Sequence, residues 1–304
     1  MARRRSKRRL FLLCLIASIL SLLSWHSFSD SMLASSVPLR RLLLLIPTSH
    51  KAAQQRDDIR QAWLRLPIRH RWTVERRFVV CDGEYDLFVE WDMVQVPCVE
   101  SYDLLSSKVM AMIAWAASSE LDFDVLVKVD ADVFVQPNRL LSALDKVMKD
   151  KKSTDSWWWG FVHRNMRVNR DETDKNRALD SEVWAGYPPY AVGALYAMSH
   201  ALVKRVARVF ESGRLFLLRN EDQTMGIVMK RLGVVPIHTH LIQQWPFCSD
   251  VQITVHPVVN HTAVAIAVSE GKSLCHFVPK SICPLCIEEQ GCVARWKDEW
   301  NCSR

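Results

Sequence analysis

Residues 125–135 read VLVKVDADVFV: a strand-forming run, then Asp130 and Asp132 on either side of Ala131, then a second apolar run. A strand covered on both faces reads as a nearly continuous apolar stretch. PNRLLSALDKVMK, 137–149, follows it with Leu140, Leu141, Leu144, Val147 and Met148 at helical spacing behind Pro137, a residue suited to a first helical turn. The same alternation precedes it. RLLLLIP (41–47) is a buried-strand run, and QQRDDIRQAWLRL (54–66) carries Ile59 and Trp63 four apart. RRFVVCD (76–82) and MVQVPC (93–98) read as strands, and Ser101 caps a helix striped by Leu105, Val109, Met112 and Ala116. Strands alternating with helices predict an α/β domain with a mostly parallel sheet flanked by helices.

If Val125 to Val129 is a strand, side chains alternate, so Asp130 and Asp132 project one way and Ala131 the other. They then lie at a strand's C-terminal end, where open α/β sheets hold nucleotides. Neighbouring carboxylates repel each other unless a cation intervenes. A divalent ion with oxygen ligands resolves this and keeps coordination positions for a diphosphate.

Composition sets the frame. With 304 residues, 49% hydrophobic and 24% charged, the chain is globular in character. Its net charge is +7, but Arg3, Arg4, Arg5, Lys7, Arg8 and Arg9 supply six of those charges, and +7 less six leaves +1 for the rest. A basic nucleic-acid-binding surface is therefore not expected. The basic segment runs into LFLLCLIASILSLLSW (10–25), which has no charge and, extended to Phe28, approaches bilayer length. It reads as an uncleaved signal anchor with the remainder in the lumen. Cleavage as a secretory signal is the alternative.

Eight cysteines follow the anchor, at 81, 98, 248, 275, 283, 286, 292 and 302. In an oxidising lumen they read as a disulfide framework. The C-x2-C spacing of Cys283 and Cys286 also permits a zinc knuckle. Asn260 (NHT) and Asn301 (NCS) are N-glycosylation acceptors for the same compartment. DSWWWGFVHRNMRVNRDETDKNR (155–177) sets three tryptophans beside a charged loop, either core residues or a groove for sugar rings.

Several segments, in order, resemble the β-1,3-galactosyl/N-acetylglucosaminyltransferases, glycosyltransferase family 31. They are RDDIRQAW (56–63), ESYDLLSSKVMAMIAW (100–115), VKVDADVFV (127–135), YPPYAVGALYAMS (187–199), NEDQTMGIVMKRLGV (220–234) and CSDVQITVHPV (248–258). The departures are Ala62 in a Ser/Thr slot, Leu104–Leu105 for Asn-Leu, Ala131 for the middle aspartate of a triplet and Gln223 for a valine. The resemblance ends near residue 262.

It implies a GT-A (Rossmann-like) fold and an inverting, metal-dependent transfer of galactose from UDP-galactose to a glycan acceptor hydroxyl in β-1,3 linkage. UDP-N-acetylglucosamine is the alternative donor, and an inactive glycan-binding protein on the same fold is the alternative class. Matched residue by residue, Asp222 is the general base and Asp130, Asp132 and His256 hold Mn²⁺ or Mg²⁺. His238 and His240 rival His256, and Arg56, Arg60, Lys108, Asp130 and Glu221 face the nucleotide-sugar. A second role for Asp222, as the cap of its helix, stays open. The expected layout is a cytoplasmic tail (1–9), anchor (10–28), stem (29–40), transferase domain (41–262) and Cys-rich extension (263–304), in a single-pass type II Golgi membrane protein. Its partners would be a UDP-sugar and a glycan on glycoprotein or glycolipid, with the membrane held through the anchor.

Overall fold

The computed structural model describes residues 39–81, 91–171, 173, 177, 186–242 and 251–274. The anchor, the stem up to residue 38, six of the eight cysteines beyond the anchor, and Asn301 lie outside them. The chain divides into two compact units, Met1–Arg40 and Arg41–Arg304, and all described residues except Leu39 and Arg40 belong to the second. Among the described residues no helix is long and apolar enough to cross a membrane.

The second unit is built on a seven-stranded mixed sheet. Its strands are β1 (Arg40–Pro47), β2 (Trp72–Cys81), β3 (Met93–Val96), β4 (Val125–Val129), β6 (Trp158–His163), β7 (Tyr190–Ser199) and β8 (Ile237–His238). Their order is β3-β2-β1-β4-β7-β6-β8. β1 runs parallel to β4, β2 to β3 and β6 to β8, whereas β7 is antiparallel to both its neighbours. A separate pair joins β5 (Phe134–Val135) to β9 (Thr254–Val255).

The apolar runs behave as their composition requires. In β1, Leu42, Leu44 and Ile46 enter one core while Leu43 and Leu45 enter the other, so both faces are covered. In β4, Val125, Val127 and Val129 face the first core and Leu126 the second. Helices α1 (Ala53–Gln61), α2 (Leu105–Ser118), α3 (Pro137–Asp150), α4 (His200–Glu211), α5 (Glu221–Leu232) and α6 (His261–Ser269) flank these strands. Pro137 opens α3, and Leu140, Leu141 and Leu144 are its buried stripe. Ser101 accepts from Asp103 N–H at 3.3 Å and starts the short turn that leads into α2. The tryptophan row packs inward: Trp157 and Trp159 join the first core and Trp158 the second, so none of the three lines a sugar groove.

Candidate active site

β4 stops at Val129. The backbone N–H of Asp130 still reaches Ala194 O at 3.1 Å, but Val133 N–H then folds back onto Asp130 O at 3.1 Å, closing a turn. The alternation expected past the strand therefore does not hold, and the two carboxylates take different partners. Asp130 Oδ1 meets Lys128 Nζ at 2.7 Å, and Asp132 Oδ2 lies 3.6 Å from His256 Nε2. The β5–β9 pairing delivers His256, because Val255 sits opposite Phe134, and Val258 N–H bonds Asp132 O at 2.7 Å. Ala131 turns its methyl against the first core, while its carbonyl accepts from Gln55 Nε2 at 3.1 Å and His261 Nε2 at 3.0 Å.

Electrostatics separates the two acids. Burial raises the Asp130 carboxyl, and the charge of Lys128 only partly opposes it. Burial also works against ionisation of Asp132, but the hydrogen bond and charge of His256 outweigh it and hold that carboxyl below the usual range.

Lys128 is the hidden member of this site. It alternates with the valines of β4, so it points into the second core, where it is fully buried. Its Nζ donates to Gly193 O at 2.6 Å and pairs with Glu221 Oε2 at 3.2 Å as well as with Asp130. Burial opposes the charge on Lys128, but Asp130, Glu221 and Asp222 together keep it firmly protonated. Glu221 was expected to position Asp222 or the sugar; its side chain is 2% exposed, with Oε2 on Lys128 and Oε1 accepting from Tyr196 OH at 2.7 Å.

Asp222 follows Glu221 in the first turn of α5. The cap of that helix is Asn220, whose side chain accepts from Gln223 N–H at 3.3 Å. Asp222 is thus relieved of capping and faces β7 at Gly193, whose backbone N–H hydrogen-bonds its carboxylate. Burial first, then repulsion from Glu221, raises its proton affinity well above an ordinary aspartate, against the pull of Lys128 and the Gly193 amide. The approach demands glycine: a Cβ at 193 would lie 2.4 Å from Asp222 Oδ1.

The cations expected on the nucleotide have partners within the protein. Arg60 forks onto Asp92 at 2.9 and 2.6 Å, bonds Asp57 at 2.8 Å and lies over the Phe78 ring. That arrangement ties α1 to the sheet. Arg56 donates to Ser49 O at 2.6 Å just past β1. Lys108 reaches Thr48 O and grips both Glu100 oxygens at 2.8 and 2.9 Å, and burial lowers its proton affinity despite Glu100.

His238 and His240, the rivals of His256, are occupied with each other. His238 Nδ1 accepts from Val162 N–H at 2.9 Å, and its Nε2 faces His240 Nδ1 at 3.1 Å. Both nitrogens of His238 are committed, which leaves His256 as the histidine beside an acidic residue of the turn. Among the described residues no group of three His, Cys, Asp or Glu side chains forms a complete metal cage.

Asp58, Lys128 and His261 escaped the reading of the sequence. Asp58 accepts from His261 N–H at 2.6 Å, Thr262 N–H at 3.0 Å and the Thr262 hydroxyl, fastening α1 to α6. Asn260, the described glycosylation acceptor, is exposed and caps α6 through Ala263 N–H at 2.8 Å. Cys81 and Cys98 form a disulfide.

A carboxylate of raised proton affinity and an Asp–His pair thus lie at the edge of the sheet where open α/β folds commonly hold ligands. The chain belongs to the galactosyltransferase family, which matches residues 54–240. It is 26% identical over 220 residues to hydroxyproline O-galactosyltransferase GALT6 of Arabidopsis thaliana, covering 66% of this chain and 31% of that protein. It is 24% identical over 213 residues to lactosylceramide 1,3-N-acetyl-beta-D-glucosaminyltransferase of Homo sapiens, covering 64% and 55%. Against beta-1,3-galactosyltransferase 4 of Rattus norvegicus it is 24% identical over 230 residues, covering 65% and 62%. The chain thus spans between about a third and three-fifths of these relatives' lengths. A galactosyltransferase solved with donor and acceptor sugar analogues overlaps it with a TM-score of 0.32 at 13% identity, over 64% of this chain and 72% of that one, too little to carry an argument.

Proposed function

We propose that the protein is an inverting, divalent-metal-dependent hexosyltransferase of GT-A type, moving galactose from UDP-galactose to a glycan hydroxyl in β-1,3 linkage. The observation that carries this reading is Asp222, a carboxylate of raised proton affinity held on the Gly193 amide. Asp222 takes the proton of the acceptor hydroxyl as that oxygen attacks the anomeric carbon, and the bond to the β-phosphate oxygen breaks so that UDP leaves with its electron pair. A carboxyl whose proton affinity is raised toward the working pH is a more effective general base than a surface aspartate.

Asp132 and His256 fit a Mn²⁺ or Mg²⁺ ion: one carboxylate and one imidazole, side chains 46% and 30% exposed, with the acid held ionised. Such an ion, when bound, stabilises the negative charge of the departing diphosphate. Asp130 is the second acid on that side, steadied by Lys128. Lys108 of α2, whose amino group reaches Thr48 O just past β1, belongs to the nucleotide side of the same edge.

UDP-N-acetylglucosamine is the alternative donor, since the relatives' names include both sugars. The acceptor is a glycan on glycoprotein or glycolipid, and the setting is the Golgi lumen behind a signal anchor. The Cys81–Cys98 disulfide supports an oxidising compartment. The test is Asp222→Asn together with chelation. The variant is expected to lose about 10²–10⁴-fold in kcat for transfer while still binding UDP, and EDTA is expected to stop UDP release from UDP-galactose. Transfer by Asp222→Asn at near wild-type rate refutes the base assignment.

A further inference from the structure

The direction of the strands gives the working edge of the sheet an order from one side to the other. β4 and β6 are each antiparallel to β7 and so run the same way, and β8 is parallel to β6. The C-terminal ends of β1, β4, β6 and β8 therefore share one edge with the N-terminal end of β7. Across it come Lys108 against the end of β1, then Asp130 and Asp132 after β4. Next are Gly193 and Tyr190 of β7 with Asp222, and last His163 of β6 and the His238–His240 pair of β8. The donor side lies at β1 and β4, and the base stands at β7. An attacking hydroxyl must approach Asp222 from the side the donor does not fill, over β6 and β8.

What lies there is a set of rings. His163 pairs with Tyr190 across the strands, their ring centres 5.6 Å apart, and Tyr190 is close enough to Asp222 for that charge to help raise its hydroxyl to about 12 after burial. Phe161 meets His163 at 5.6 Å, His238 at 5.0 Å and His240 at 6.4 Å. The hydrogen bonds fix the tautomers. Val162 N–H requires a lone pair at His238 Nδ1, so the ring proton of His238 is on Nε2 and donates to His240 Nδ1. Burial, then the charges of His240, Arg164 and His163, lower His238 to about 4, and burial lowers His163. Near neutral pH these two rings are uncharged, and the His238 and His240 planes stand edge to face at 78°, with His163 and His238 half-buried and His240 exposed.

We propose that His163, His238 and His240, backed by Phe161 and Tyr190, form the subsite for the acceptor's terminal sugar, a pyranose whose C–H face rests on one imidazole while the neighbouring rings, set edge-on, bound it. Neutral ring faces suit such a surface, and a few fixed polar groups set its orientation. This rests on the reading of Asp222 as the base.

The experiment uses the full chain with UDP-galactose as donor and three nitrophenyl glycosides as acceptor probes: β-galactoside, β-N-acetylglucosaminide and β-N-acetylgalactosaminide. His163→Ala and His240→Ala are expected to raise the acceptor KM roughly tenfold, the worth of one ring contact, leaving the KM for UDP-galactose and the affinity for UDP in place. His238→Ala removes the acceptor for Val162 N–H, so His238→Asn accompanies it as a variant that keeps a polar partner, and thermal unfolding checks each protein. An unchanged acceptor KM in folded His163→Ala and His240→Ala overturns the proposal, and so does a donor KM that rises in parallel. Failure of the hexosyltransferase reading looks different: the wild-type protein then transfers to no probe and releases no UDP.

Discussion

Replacing Gly193 by alanine puts a methyl group into the space that Asp222 occupies. The added Cβ would lie 2.4 Å from Asp222 Oδ1 and 3.1 Å from both Glu221 Oε2 and Lys128 Nζ, whereas ordinary contact begins at 3.4 Å. Two of those three neighbours have little room to yield. Lys128 is held by Gly193 O, Asp130 and Glu221, and Glu221 is held in turn by Tyr196. Asp222 must therefore move by about 1 Å, and an error of that size in a reacting group costs on the order of 100-fold in rate. The overpacking itself costs about 1–3 kcal/mol of stability. Steady-state transfer from UDP-galactose to a nitrophenyl glycoside reads the first quantity, urea unfolding the second, and UDP calorimetry checks the donor side. The expected result is a folded protein with donor affinity intact and kcat about 100-fold down. A Gly193→Ala protein with wild-type stability and wild-type kcat would show that the carboxylate does not work from this position.

Three further outcomes follow from the same contacts. Transfer requires ionised Asp222, whose raised proton affinity places the acid limb of the kcat–pH profile above the ordinary carboxylate range. Glu221→Gln removes the repulsion and should slide that limb to lower pH, and a limb that stays put or climbs contradicts the electrostatics. Lys128→Met strands Asp130 and Glu221 without their counter-ion, a loss of about 3–5 kcal/mol in urea unfolding; a loss near zero would mean that water already serves these groups. Asp58→Ala unfastens α6 from α1 and should cost about 2 kcal/mol at neutral pH. The folded-state carboxyl of Asp58 is depressed, because its bonds to Thr262 and His261 outweigh burial, so its contribution is present above the unfolded-state value and fades as pH falls. Unfolding at neutral and acidic pH should show the mutant's deficit shrinking, and a deficit independent of pH would count against the carboxylate.

Much of the scaffold was legible because burial imposes periodicity. β1, the stripe of α3 and the start of α2 appear where apolar spacing places them. The orientation of β7 was not legible, since a strand covered on both faces has the same apolar composition whichever way it runs. At the site, Asp130, Asp132, His256 and Asp222 could be named, but not their division of labour. That division depends on a turn after Val129, and on a buried lysine that pairs with Asp130, two residues on, and with Glu221, 93 residues away. The internal partners of Glu221 and Arg60 were not legible for a related reason: a charge in a motif says nothing about which internal partner will claim it. Asn220 gave a usable hint, since a good capping residue just ahead of an acidic pair frees those acids for other work.

The Cys81–Cys98 cross-link reaches further than the corner it closes. Cys81 gives its N–H to Glu100 at 3.4 Å, the acid that holds Lys108, and its carbonyl receives the His50 ring at 3.1 Å. The oxidation history of a preparation is thereby written into the flank where the nucleotide is expected. Material made in a reducing host, with those thiols apart, is a different reagent from material matured in a secretory route, and side-by-side donor titrations should treat the two as such.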